Sequence, residues 1–220
     1  MEFTEFWTIC SSNSIVLDKQ QLKQTKRYTE ELVHWNKKVN MISRKDEENI
    51  LGYHILHSLA PLKYFDVPDK SRCLDVGTGG GLPGIPLAIA CPMSHFLLVD
   101  SVQKKIKITE MLAKHTGLRH LQVMRTRAEE LARKNEYKHK FDFIFARAVA
   151  KVAVVAAWVK PMIKPDGRLI FLKGGDLDEE IDFARKEFKN IEIEEIKLDL
   201  FGAEWFLRED KKLVVCKFRI

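Results

Sequence analysis

The stretch that most constrains this chain is the glycine-rich run Leu74-Asp75-Val76-Gly77-Thr78-Gly79-Gly80-Gly81-Leu82-Pro83-Gly84-Ile85-Pro86. It follows a short apolar, strand-like segment and opens a helix, since Pro83 and Pro86 fit a first helical turn without losing a needed donor. Glycines there let the backbone turn sharply and approach a ligand closely. A strand, glycine turn and helix in succession belong to an open parallel sheet, and such sheets bind cofactors at the strand ends beside the point where strand order reverses. The rest of the chain fits that frame. β-rich runs recur at 73–76, 95–100, 121–124, 141–146, 168–173, 191–198 and 213–218. Helical stretches separate the first five, with Ile106, Met111 and Leu112 marking one apolar face. Between the last two only turn chemistry is visible, at Phe201-Gly202 and Glu209-Asp210, which predicts a closing antiparallel hairpin.

Ahead of the sheet the sequence is helical from about residue 18 to residue 64. Asp18 is placed to cap, and Leu22, Thr25, Tyr28, Leu32, Trp35 and Val39 follow at three-to-four spacing. A break at 40–43 precedes a second amphipathic stretch with Ile50, Leu51, His54, Ile55 and Leu59, and Val67-Pro68-Asp69-Lys70 reads as a junction. The expected organisation is an N-terminal helical extension, 1–66, and a cofactor-binding domain, 67–220. No apolar run approaches the ~20 residues of a membrane span, and the first residues carry Glu2 and Glu5 where a signal peptide has bases. A cytoplasmic monomer is expected. Cys10, Cys73, Cys91 and Cys216 lie far apart without a CxxC pair, a spacing that suits neither a disulfide framework nor a zinc site. The net charge of +6 is unevenly spread: bases dominate from Lys104 to Lys140, acids from Asp176 to Asp210. A face for polyanions and a set of solvated helix surfaces are both open readings of that asymmetry.

The loop formally satisfies the dinucleotide pattern GxGxxG from Gly79 to Gly84, a weak signal on its own. The fuller match is acid-x-Gly-x-Gly-x-Gly, formed by Asp75, Gly77, Gly79 and Gly81. A carboxylate at that strand end disfavours a pyrophosphate and favours a cationic ligand with an amino group, which S-adenosylmethionine is. Asp100, at the end of the next strand, suits the two hydroxyls of a ribose. Arg127-Ala128-Glu129 after the third strand stands where methyltransferases commonly clasp adenine. A nicotinamide-dependent oxidoreductase remains the alternative on the GxGxxG match. The acceptor is narrowed by absence. The fourth strand runs into Arg147-Ala148-Val149-Ala150, with neither an Asn/Asp-Pro-Pro-aromatic turn for an exocyclic amine nor a cysteine for pyrimidine carbon. A ring nitrogen such as guanine N7 already carries an in-plane lone pair and needs only positioning. A ribose hydroxyl or a small molecule stays open.

Several segments together resemble one family. They are Trp35-Asn36-Lys37-Lys38-Val39-Asn40-Met41-Ile42-Ser43, His54-Ile55-Leu56-His57-Ser58, Asp75 through Pro86, Leu98-Val99-Asp100-Ser101, Arg127-Ala128-Glu129, Ala146 through Ala150, and Leu172-Lys173-Gly174. In this order they are similar to the bacterial small-subunit ribosomal RNA guanine-N7 methyltransferases, the GidB/RsmG family. The resemblance implies a doubly wound, Rossmann-like class I methyltransferase sheet of the α/β class, mostly parallel with an antiparallel closing hairpin, behind an N-terminal helical extension. It implies S-adenosylmethionine as cofactor and 16S ribosomal RNA as partner, within the small ribosomal subunit or its assembly intermediate. Carried over by position, Gly77, Gly79, Leu82, Asp100, Ala128, Glu129 and Arg147 would contact the cofactor, beside Asp75. Arg147, Asn40, Lys173 and His54 are the candidates for the acceptor side, with Ser43 next to Asn40. Two positions depart from the family pattern: His57 stands where Asp is usual and Tyr53 where Arg is frequent. No metal is expected, since the His54-x-x-His57 pair has no third ligand nearby in sequence. A non-catalytic RNA-binding assembly factor on the same fold is the other alternative, suggested by the basic belt and the altered second motif.

Overall fold

The computed structural model describes residues 1–219, without the side chains of Arg44 and Lys45. Two helices open the chain, α1 (Phe3–Ser12) and α2 (Lys19–Asn36). α1 lies ahead of the helical stretch expected from Asp18 onward. Asp18 caps α2 as expected: its carboxylate accepts from the Gln21 amide at 2.7 Å, and the Gln21 side chain accepts from the Asp18 amide in return. After the break the expected amphipathic helix is a string of shorter pieces. A 3-10 turn spans Arg44–Asn49, a wider π-type turn Leu51–Leu56, then α3 (His57–Leu59) and α4 (Pro61–Tyr64) complete the segment. Such irregular turns concentrate at functional sites.

The sheet and its helices follow: β1 (Arg72–Val76), α5 (Gly84–Ala90), β2 (His95–Asp100), α6 (Gln103–His115), β3 (Leu121–Arg125), α7 (Ala128–Leu131), β4 (Phe141–Arg147), α8 (Val152–Val159), β5 (Ile163–Gly174), α9 (Asp178–Glu187), β6 (Ile191–Lys197), α10 (Trp205–Arg208) and β7 (Lys211–Phe218). Seven strands stand in the order β3-β2-β1-β4-β5-β7-β6. The first five are parallel, and β7 lies antiparallel between β5 and β6. The expected closing hairpin is therefore present, and α10 occupies part of a connection that showed only turn residues. β5 begins five residues earlier than its β-rich core because Pro165-Asp166-Gly167 bulges within the strand, shifting register between Phe141 and Phe143.

The chain runs from β1 outward to β3, then returns to lay β4 on the other side of β1. The crevice between the ends of β1 and β4 is thus the switch point where ligands bind. Side chains alternate between the two faces. Cys73, Phe96, Leu98, Phe143, Phe145 and Leu172 join the core shared with α1, α2 and α5, while Leu74, Leu97, Val99, Ile144 and Phe171 join the core under α8 and α9. Phe6, Tyr28 and Leu32 belong to that first core, so the N-terminal helices and the sheet bury apolar surface together. No helix among the described residues is long and apolar enough to cross a membrane.

Tyr28 ties the two parts at one atom. It is fully buried, and its hydroxyl donates to the Gly80 carbonyl at 2.8 Å. Tyr28→Phe leaves that carbonyl buried without a donor and should cost about 1–3 kcal/mol, read from the urea midpoint at constant m-value.

Candidate active site

The glycine loop is pinned from every side. Gly77 and Gly79 have φ of 67° and 55°, in the left-handed region, and a Cβ on Gly77 would sit 2.7 Å from the Val149 side chain. The Gly79 amide donates to Asp100 Oδ2 at 3.0 Å and the Gly84 amide to Asp75 Oδ2 at 2.9 Å. The amides of Gly81 and Leu82 both donate to the Thr78 carbonyl. Thr109 on α6 donates to the Gly79 carbonyl at 2.7 Å, and Tyr28 takes the next one. A pyrophosphate needs such amides free; here the Gly79 amide at the cleft faces the Asp100 carboxylate, and the Gly84 amide is turned inward to Asp75. That arrangement repels a phosphate and leaves the loop suited to a ligand without one.

Asp75 itself corrects an expectation. Alternation along β1 turns it to the α5 side, where it is fully buried and bonded to Thr78 Oγ1 at 2.6 Å as well as to Gly84. It has no exposed surface with which to meet a cofactor, so it acts through the loop it braces. Burial pushes its carboxyl up to about 7, against the lowering effect of those two hydrogen bonds.

Three cavities join along the C-terminal ends of β1 to β5. A small one of about 130 Å³ is lined by Gly77, Asp100, Ala128, Glu129, Val149 and Trp158. A second, of about 400 Å³, includes Asn40, Ser43, Asp46, His54, Gly79, Leu82, Lys105 and Arg147. A third, of about 680 Å³, includes Tyr53, His57, Arg147, Lys173, Glu180 and Lys211. Gly77 borders the first two, Asp46, Arg147 and Ala148 the last two, which makes one cleft. A Cβ at Gly79 would meet only the Gly77 carbonyl, at 3.9 Å, and otherwise occupy open space, so a side chain there would fill the cradle. Asp100 uses one lone pair of each oxygen, on the amides of Gly79 and Val102. Each oxygen keeps a second pair for a hydroxyl donor.

The structure therefore brings Gly77, Gly79, Leu82, Asp100, Ala128, Glu129, Arg147, Asn40 and His54 to one cleft. Lys173 is at its far end but on different terms. Alternation along β5 sends it to the α9 side, where it pairs with Glu180 at 2.7 Å and donates to the Ala150 carbonyl at 3.3 Å. Lys173, a candidate for the acceptor side, thus has its ammonium held by a carboxylate. Trp158 also lines the small cavity with Asp100 and Glu129.

Arg147 is held rather than free. Its guanidinium donates to the carbonyls of Tyr53 at 3.1 Å and His54 at 3.2 Å, to Ser58 Oγ at 3.4 Å and to His54 Nδ1 at 2.6 Å. A guanidinium has no acceptor, so His54 Nδ1 must be the lone-pair nitrogen and Nε2 carries the proton. That nitrogen lies 3.3 Å from Asp46 Oδ2. Burial, reinforced by the Arg147 charge, pulls His54 down to about 3, so it stays neutral and orients the arginine without exchanging protons. Burial lowers Arg147 only to about 10, which leaves it cationic at neutral pH. Asp46 thus completes a chain of three that sequence reasoning missed, because His54 meets Arg147 from 93 positions away. Asn36 was missed as well: its Oδ1 accepts from the amides of Met41 at 2.7 Å and Ile42 at 2.9 Å, folding the 37–43 turn so that exposed Asn40 and Ser43 edge the cleft. The Trp35-Asn36 motif was the available signal.

A family model described as rRNA small subunit methyltransferase G, GidB, matches residues 21–209. The chain belongs to the GidB family. A relative named ribosomal RNA small subunit methyltransferase G from Chlorobium phaeobacteroides is 41% identical over 180 residues, covering 82% of this chain and 79% of its own. The protein of that name from Pelodictyon phaeoclathratiforme is 36% identical over 210 residues, with 94% and 90% covered. Among solved structures, a SAM-dependent methyltransferase from Aquifex aeolicus superposes with a TM-score of 0.57 at 16% identity, covering 80% of this chain and 96% of its own. Aeropyrum pernix fibrillarin in complex with S-adenosyl-L-methionine gives 0.55 at 15%, with 71% and 72% covered. These structural matches establish a fold shared with methyltransferases. Membership in the GidB family identifies an S-adenosylmethionine-dependent methyltransferase, and neither the oxidoreductase nor the non-catalytic alternative gains support.

The buried histidines of this GidB-family site set an acid sensitivity. Burial holds His57 well below its ordinary value, as it does His54. Unfolded, each takes a proton near pH 6.5; folded, neither does until far lower, so stability present above 6.5 is lost as pH falls. His57→Asn should remove one proton from that linkage, making the loss below pH 6.5 shallower by a slope that grows toward about 1.4 kcal/mol per pH unit near pH 5. Urea unfolding of both proteins at a series of pH values checks this. Asp75, raised and hence of opposite sign in the same window, cancels in the comparison.

Proposed function

We propose that this protein transfers a methyl group from S-adenosylmethionine to N7 of a guanine in small-subunit ribosomal RNA. One observation carries the cofactor half: the Gly79 amide, which borders the cleft, is occupied by Asp100, while the lone pairs left on Asp100 face a cavity bordered by Ala128, Glu129 and Trp158. Asp100 would hold the ribose, the Ala128–Glu129 segment the adenine edge, and Gly77, Gly79 and Leu82 the chain beyond it. Bound there, S-adenosylmethionine supplies an electrophilic methyl on a sulfonium.

The acceptor half rests on what stands at the tip of β4. Guanine N7 attacks with a lone pair already in the ring plane, so no base is required, and the groups at the tip of β4 suit that: Arg147 is cationic and His54 is neutral, its Nε2 3.3 Å from Asp46 Oδ2. What remains for the protein is alignment. Arg147, fixed by four acceptors of the 53–58 segment, would orient the base, and Asn40 and Ser43 would edge the opening. The exposed bases Lys104, Lys107 and Lys114, with Lys105 at the second cavity, would contact phosphates of the RNA or of the subunit that carries it.

The test is transfer of labelled methyl to small-subunit particles and to naked 16S RNA, followed by digestion to nucleosides. Label in 7-methylguanosine is expected; label elsewhere, or in no RNA at all, would end this reading. Asp100→Ala should weaken donor binding by roughly ten- to hundredfold, the loss of a charge-assisted acceptor worth about 1.5–3 kcal/mol. Calorimetry with S-adenosylmethionine measures it, and unchanged affinity would show the ribose lies elsewhere.

A further inference from the structure

A second concave site lies at the opposite end of the sheet. A cavity of about 300 Å³ is formed where β1, β2, β3 and β4 begin, and its lining includes Arg72, Arg119, Lys140, His120, Gln122 and Tyr137. Strands of five to seven residues, at roughly 3.3 Å each, set it about 20 Å from the cofactor cleft. No carboxylate is among its lining residues, and among the described residues none of its three cations enters an ion pair. Three like charges converging on a concavity repel one another, and an anion seated between them relieves that cost. The other polar groups are of the right kind: the Gln122 amide and the Tyr137 hydroxyl can donate to a phosphate oxygen. The Tyr137 ring is steadied against Phe141 at 6.2 Å, with 5° between planes.

We infer that this cavity binds a phosphodiester of the RNA substrate, away from the reacting nucleotide. The inference rests on the reading of RNA as substrate. Its geometry gives the strand a path. β3 is the edge strand, with exposed Arg125 at its cleft end and exposed Arg119 just ahead of its cavity end, so a chain leaving the cleft along this edge passes from one basic group to the next. The other side of the same sheet end is less favourable to it: in the neighbouring cavity beside β5, Asp66, Asp69, Asp142 and Asp166 outnumber Lys70, Lys164 and Arg168, and Lys164 is already paired with Asp142. The polyanion is thereby steered to the β3 side.

The experiment uses the full-length protein and the triple variant Arg72→Gln, Arg119→Gln, Lys140→Gln, with the small-subunit RNA that the unaltered protein methylates. RNA affinity is measured across a salt series, and donor affinity by calorimetry. Three lost contacts at about 0.7 each should make the slope of log affinity against log salt shallower by about two, with roughly tenfold or more weaker binding at low salt. Donor affinity should not change. An unchanged slope, with methylation by the unaltered protein intact, overturns the inference and leaves the methyltransferase reading standing. No RNA binding or methylation by the unaltered protein brings down both. Inorganic phosphate serves as the second probe: saturable phosphate binding that shifts the His120 ring resonances, together with an unchanged RNA slope, would make this a free-phosphate site and overturn the proposal.

Discussion

The hydrogen bonds that Asp75 and Asp100 accept from the glycine loop decide what the cleft can hold. A loop of this kind gathers backbone N–H groups at the end of a strand, and in many proteins that gathering is an anion site. Here the Gly79 amide ends on the Asp100 carboxylate and the Gly84 amide on buried Asp75 instead. The two acids act differently. Asp75 is sealed beneath the loop and fixes its shape, with burial raising its carboxyl to about 7. Asp100 fixes the neighbouring turn and still presents lone pairs outward. One glycine loop thus serves a cationic, phosphate-free cofactor by having its positive groups satisfied from within.

The N-terminal segment is the other half of the site. Tyr28 holds the loop from one side, while the 53–58 turns hold Arg147 from the other. The arginine sits at the tip of β4, and alternation sends it to the same face as Phe143 and Phe145, the face on which the N-terminal helices pack. Its orientation therefore depends on the docking of those helices. The irregular 3-10 and π turns make sense in this light: a straight α-helix would direct fewer carbonyls from Tyr53 and His54 at one guanidinium.

Much of this was legible because its signals are local. The glycine loop, the alternation of strands and helices, the Asp18 cap and the acids at the ends of successive strands each declare themselves within a few residues. What stayed hidden depends on contacts made across the fold. Which face Asp75 points to follows from the parity of β1 against α5, and Lys173 meets Glu180 only because β5 and α9 pack side by side. The Asp46–His54–Arg147 chain joins residues about ninety positions apart, with no motif linking them. Trp158 reads as core in a helix of valines and alanines, and only the position of α8 beside the strand tips turns its ring toward the small cavity.

The placement of β7 between β5 and β6 has a consequence for how the chain matures. β6 is made before the strand that separates it from the rest of the sheet, so it has no partner when it emerges. Until residues 211–218 slide in, β5 also keeps a bare edge, lined by Leu169 to Leu172. Nascent or interrupted chains ending near residue 210 would display two unpaired strands at once, an invitation to self-association. Quality control of this protein should thus hinge on a single late insertion, well separated in sequence from the loop that gives it chemistry.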